Sequence, residues 1–241
     1  MPNLFRRCVA EAVGTFFLVL IGPGAAMVDA YSGGRLGHPG VALSFAFVVT
    51  AMIYALGHIS GAHLNPAVTV AFASGRRFPR GDVLPYVAAQ CAGAITASLL
   101  CRLALGPVGS MGATLPAVPV GTAFGVEWLL SFGLMFVVMA VATDERVAGG
   151  FAGIAVGLTV GFEAMAGGPL TGASMNPARS LGPAVAGGGW AGHWLYWLAP
   201  LTAMVAARWL YDWLRPADAP RVVPRDVPLG LEGPIDREMP D

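Results

Sequence analysis

Ser60-Gly61-Ala62-His63-Leu64-Asn65-Pro66-Ala67 and Thr171-Gly172-Ala173-Ser174-Met175-Asn176-Pro177-Ala178 are two copies of one segment in a single chain. In each, a small polar residue and Gly-Ala lead into Asn-Pro-Ala, which reads as a tight loop ending at a helix N-terminus. Asn is a favoured cap, and proline suits the first helical turn because the N–H it lacks would be unpaired there anyway. Both copies lie in apolar sequence, so two half-length helices, over 66–74 and 177–186, are predicted to begin inside hydrophobic surroundings. Irregular backbone at such depth survives only where protein or a water-filled cavity covers it. Paired, interrupted hydrophobic segments in matching halves point to a permeation site near a bilayer midplane.

Composition agrees with a membrane setting. Of 241 residues, 56% are hydrophobic and 12% charged, with a mean hydropathy of +0.66; a soluble domain carries about 25% charged residues. All 14 basic residues are arginine, which reads as compositional bias, and the formal net charge of zero gives no hint of a nucleic-acid partner. Cys8, Cys91 and Cys101 are scattered without metal-ligand spacing and read as packing residues. No cofactor or metal site is expected. The apolar stretch behind Arg6-Arg7 could imitate a signal peptide, but it is as long as a full span, lacks a small-residue cleavage site and contains Glu11, so it is read as a mature helix.

Hydrophobic runs near 8–30, 41–59, 82–106, 120–142, 150–167 and 192–213 reach the length of about 20 residues that crosses a bilayer. The predicted fold is an all-α membrane protein with six transmembrane helices, two re-entrant half-helices and an internal repeat. The first repeat covers 1–106, a connecting loop 107–119, the second repeat 120–214, and a disordered tail 215–241. Glu11-Ala12-Val13-Gly14-Thr15-Phe16 in the first span is echoed by Glu127-Trp128-Leu129-Leu130-Ser131-Phe132 in the fourth. An odd number of spans per repeat inverts the second copy, bringing the half-helices together N-terminus to N-terminus. Arg6, Arg7, Arg76, Arg77, Arg80, Arg146, Arg215, Arg221 and Arg225 flank one set of span ends, against Arg35 on the other, so both termini are expected in the cytoplasm. Gly153, Gly157 and Gly161 recur on one helix face and read as a close-packing stripe.

With the two Asn-Pro-Ala loops, Arg179 after the second, and the paired helix glutamates in place, the chain resembles the aquaporin (major intrinsic protein) family from about residue 8 to 214. Ala71-Phe72-Ala73-Ser74-Gly75-Arg76-Arg77-Phe78-Pro79, Val141-Ala142-Thr143-Asp144 and the stretch from Gly167 to Pro183 are most similar to nodulin-type intrinsic proteins and their bacterial relatives. The resemblance implies the aquaporin fold, a pore in each subunit of a homotetramer in the plasma (inner) membrane, and passage of water, glycerol and arsenous or boric acid.

Each half-helix N-terminus carries about half a positive charge, and Asn65 and Asn176 each add an amide donor. A water at mid-pore then offers its oxygen to both, which interrupts a proton wire, while the positive potential opposes cations. The resemblance makes Arg179, Phe45, Ala164 and Ala173 the walls of a selectivity constriction. Ala164 stands where water-selective members have histidine, which widens the opening, whereas Phe45, Ser180, Ala184 and Tyr196-Trp197 resemble the water-channel pattern. By resemblance Glu11 and Glu127 bind loop N–H groups and support a ladder of carbonyls. His63 is a candidate for lining the cytoplasmic half of the pore, and His58 for packing. Glu163 has two readings, an acid satisfied by a nearby loop or a carboxylate in the vestibule.

The reading is a passive channel for water and small uncharged solutes that excludes protons and ions. A strictly water-selective channel, a proton-coupled secondary transporter and a structural membrane protein stand as alternatives. An enzyme is not expected, since no nucleophile, base and oxyanion group recur together.

Overall fold

A computed structural model of the chain describes residues 2–144 and 150–215. Eight α-helices follow one another among them: α1 (Leu4–Tyr31), α2 (Gly37–Ser60), α3 (Pro66–Ser74), α4 (Val83–Leu105), α5 (Val120–Thr143), α6 (Ala152–Thr171), α7 (Pro177–Gly187) and α8 (Leu195–Leu214). Arg146, Arg221, Arg225 and the tail beyond Arg215 lie outside the described residues.

Helices α1, α2, α4, α5 and α6 each have the length and apolar composition to cross a membrane. Helix α8 has 20 residues and carries Arg208 and Asp212 in its last turns. Asp212 is held there by both terminal nitrogens of Arg77 and by Arg208 Nη1, so these charges leave the helix paired.

The packing follows the repeat. Helix α1 lies against α2 and α4, and α5 lies correspondingly against α6 and α8. Each half-helix packs on the last span of the opposite repeat, α7 on α4 and α3 on α8, while α2 and α6 pack on each other across the centre. Small residues set these distances. A Cβ on Gly157 would lie 2.6 Å from the Ala46 carbonyl oxygen and clash with Thr50, so the predicted glycine stripe is what admits α2 against α6.

Two boundaries differ informatively from the sequence reading. The run expected to end at 167 continues through Gly167-Gly168-Pro169 to Thr171. Proline inside a helix strands the carbonyl four residues back. Here the Met165 oxygen accepts instead from His38 Nε2 of α2, at 2.8 Å. The connector contains a turn at Gly109–Gly112 in which Ser110 (φ 48°) and Met111 (φ 59°) are both left-handed. Nothing in their residue types signals it, and it places the Gly112 carbonyl where Arg179 needs it.

Glu163 is a correction to both of its readings. It is buried, takes no hydrogen bond from any loop among the described residues, and lies against Gly133 of α5 rather than in the vestibule. His58 is exposed on the surface of the chain rather than packed within it.

Candidate functional site

The two loops fold alike. Asn65 and Asn176 cap α3 and α7, their Oδ1 atoms accepting from Ala67 N at 2.9 Å and Ala178 N at 3.0 Å. Ahead of each cap two non-glycine residues adopt left-handed backbone, Ala62 (φ 45°) and Leu64 (φ 51°) in the first loop, Ala173 (φ 42°) and Met175 (φ 52°) in the second. Such conformations cost about 1–3 kcal/mol each and persist only where the surroundings over-determine them.

The buried acids supply that constraint. Glu11 Oε1 accepts from Ser60 Oγ (2.7 Å) and His63 N (2.9 Å), and its Oε2 from Leu64 N (2.7 Å) and Gln90 Nε2 (2.8 Å). Glu127 Oε1 accepts from Thr171 Oγ1 (2.7 Å) and Ser174 N (2.8 Å), and its Oε2 from Met175 N (2.9 Å). Tyr86 and Tyr196 complete the frame by donating to the Ser60 and Thr171 carbonyls, at 2.9 and 2.7 Å.

With the N–H groups of each loop drawn to its acid, the carbonyls are left over. Those of Gly61, Ala62 and His63, and of Gly172, Ala173 and Ser174, accept no hydrogen bond from the described residues. All six residues line cavities. A buried carbonyl without a partner is costly unless water or a ligand meets it; these six form two short rows of hydrogen-bond acceptors at the cavities.

The half-helices meet at their N-termini through crossed bonds. Asn65 Nδ2 donates to the Met175 carbonyl at 2.7 Å, and Asn176 Nδ2 to the Leu64 carbonyl at 2.8 Å. With Oδ1 and one N–H of each amide engaged, the second N–H of each has no partner among the described residues.

An inner cavity of about 100 Å³ is lined by both asparagines, by His63, Ser174 and Arg179, and for the rest mainly by apolar side chains, among them Leu18, Val49, Val68, Leu134 and Val160. His63 belongs to this wall. Its ring stacks on Phe72, with centroids 5.0 Å apart, and its Nδ1 lies 3.1 Å from Thr69 Oγ1. An outer vestibule of about 300 Å³ includes Asp29 and His38. Phe45, Ala164 and Arg179 line both spaces and so mark the neck between them; Ala173 lines the inner side.

At the neck Arg179 is buried, with Cζ 5.1 Å from the Phe45 ring centroid and Nη1 donating to the Gly112 carbonyl at 2.8 Å. The Nε and Nη2 groups have no partner among the described residues. Phe45 itself fits because Gly22 of α1 has no side chain: a Cβ there would clash with the ring. All four expected constriction residues are thus brought together, one aromatic, one cation and two methyl groups.

Sequence reasoning missed Gln90, Thr69 and Gly112. Ser60 and Thr171 were legible as the matching first residues of the repeated segment; Tyr86 was missed too, although it and Tyr196 follow the two loops at similar spacing. Gln90 has no such signal, because Pro200 stands at its equivalent in α8.

Comparison with known proteins agrees with this geometry. The family model described as Major intrinsic protein matches residues 1–211. Nodulin-26 of Glycine max is 47% identical over 218 residues, covering 89% of this chain and 80% of its own length. Aquaporin NIP2-1 of Oryza sativa subsp. japonica is 44% identical over 220 residues, with 91% of this chain and 74% of its own length covered. The X-ray structure of the aquaglyceroporin from Plasmodium falciparum superposes with a TM-score of 0.76 at 25% identity, over 88% of this chain and 97% of that one.

Proposed function

Because the chain belongs to the major intrinsic protein family, we propose that it is a passive membrane channel whose neck at Phe45, Ala164, Ala173 and Arg179 admits water and small uncharged polyhydroxyl solutes of the glycerol, arsenous acid and boric acid class. The observation that carries the solute range is the neck itself. Two of its four walls are methyl groups, and the guanidinium that lines the same neck keeps free donors. A solute hydroxyl meets Arg179, while a carbon or metalloid centre rests against alanine and Phe45.

Below the neck the free carbonyls accept from the solute, and the spare N–H of Asn65 and Asn176 donate to it. Both half-helix N-termini and Arg179 make this passage positive, which opposes cations and orients water against proton relay. The reading includes a division into two repeats at the connector 107–119, a homotetramer in the plasma membrane, cytoplasmic termini and no enzymatic activity. The retention of Phe45, Ser180 and Tyr196 favours the second reading, a channel for water alone.

Stopped-flow light scattering on proteoliposomes, run side by side for water, glycerol, arsenous acid and boric acid, separates the two. All four above the empty-liposome rate supports the broad channel; water alone supports the strict one; uncoupler-sensitive uptake would support a proton-coupled transporter.

A further inference from the structure

Glu163 is a buried acid with no part in the pathway described above. It is 4% exposed, its Oε2 has no partner, and no hydrogen bond reaches its carboxyl from the described residues. An intramembrane acid left in that state is expensive and is retained for a reason.

Its surroundings give the reason. A Cβ on residue 133 would lie 2.6 Å from Glu163 Oε1, so α5 carries glycine at the point where the carboxyl end rests. The next residue on each helix, Leu134 and Ala164, lines the inner cavity. The contact between Glu163 and Gly133 is therefore one residue away, on each helix, from a cavity-lining position, one of them a wall of the neck. A flat terminal group fits against bare backbone more closely than the branched end of a leucine, which would push the helices apart.

We propose that Glu163 is a positioning residue for the neck, its carboxyl serving as a peg in the notch that Gly133 leaves in α5 and fixing how far the Ala164 wall stands from the pore axis. This rests on the reading of Ala164 as a wall of a solute-conducting neck. Gln, which has the same shape, fills the notch; alanine empties it and lets the wall retreat; a methyl on Gly133 drives the peg, and the wall with it, toward the pore.

The test is the ratio of glycerol to water permeability in proteoliposomes of full-length protein. Gly133→Ala lowers the ratio about tenfold and Glu163→Ala raises it by a similar factor, the size of effect that one methyl group has on a close-fitting site. The double variant returns to within about twofold of wild type, because the new methyl occupies the vacated notch, and Glu163→Gln keeps the wild-type ratio.

Additive effects in the double variant, or a Glu163→Gln ratio equal to that of Glu163→Ala, overturn the peg while water flow shows the channel intact. If Gly133→Ala does not assemble, the difference between Glu163→Ala and Glu163→Gln decides alone. Wild-type glycerol flux at background with normal water flux would refute the broad solute range, and the peg would still require Glu163→Ala to raise glycerol flux. Wild-type liposomes no more permeable to water than empty ones would refute the channel and the peg together.

Discussion

The two loops share a backbone and differ in what surrounds it. Glu11 gathers four donors and Glu127 three, because Gln90 of α4 joins the first set. Beside the first loop lies an aromatic cluster in which His63 contacts Phe72, Phe78 and Tyr86. Beside the second lies a chain of hydroxyls, with Thr114 donating to Ser180 at 2.8 Å and Ser180 lying 2.5 Å from Ser174. The residue two places after Pro66 is Val68, and two places after Pro177 it is Arg179. Duplication kept the strained backbone and its carboxylate clasp, while side chains diverged into a firmly braced half and a half that carries the cation.

The comparison is most exposed at the acids themselves. Removing a clasp leaves buried donors unpaired at about 1–3 kcal/mol each, so Glu11→Ala and Glu127→Ala should both lower thermal stability and flux. The loss should be larger for Glu11, which has one more partner. Melting of the purified variants checks this, and an equal or larger loss for Glu127→Ala would break the idea that the first loop is the better braced.

Next in size is Arg179→Val, which gives the second half-helix the residue that the first already has. Ion tightness should fall while neutral flux persists, since Arg179 is the fixed charge at the neck. Current recordings beside water flux test it; wild-type tightness with reduced flux would recast Arg179 as a brace for the Gly112 turn.

A smaller, more selective effect is expected at the neck walls. Ala164→His should suppress glycerol and arsenous acid about tenfold or more relative to water, whereas Phe45→Ala should raise the passage of the larger solutes. Equal suppression of all solutes would mean simple blockage. The mildest variant is Gln90→Leu, which reduces the Glu11 set to the size of the Glu127 set. It should cost about 1 kcal/mol in stability with selectivity unchanged, as measured by melting and by the glycerol-to-water ratio.

Much of this was legible because the repeat is written in residue types. Asn-Pro-Ala marks a cap and a helix start wherever it stands, and two copies fixed α3 and nearly all of α7. The glutamates could be matched because each sits in an apolar helix where any charge is conspicuous. The Gly109–Gly112 turn was not legible, since Ser110 and Met111 adopt left-handed backbone for the sake of a tertiary contact that their sequence does not announce. Gln90 was hidden for a different reason. A polar residue in a span gains meaning only from its partner, and Glu11 is far away in the chain. Glu163 misled because helical spacing says which way a residue points but not that the facing helix has a glycine to receive it.

The crossed asparagine bonds bear on biosynthesis. Leu64 and Asn65 emerge from the ribosome well before Met175 and Asn176, and at about 5–20 residues per second the wait is on the order of ten seconds. During that interval the first re-entrant loop lacks the partners that Asn65 Nδ2 and the Leu64 carbonyl find in the second repeat. The newly inserted first repeat must therefore be sheltered, by the insertion machinery or by water, until the second arrives to complete it.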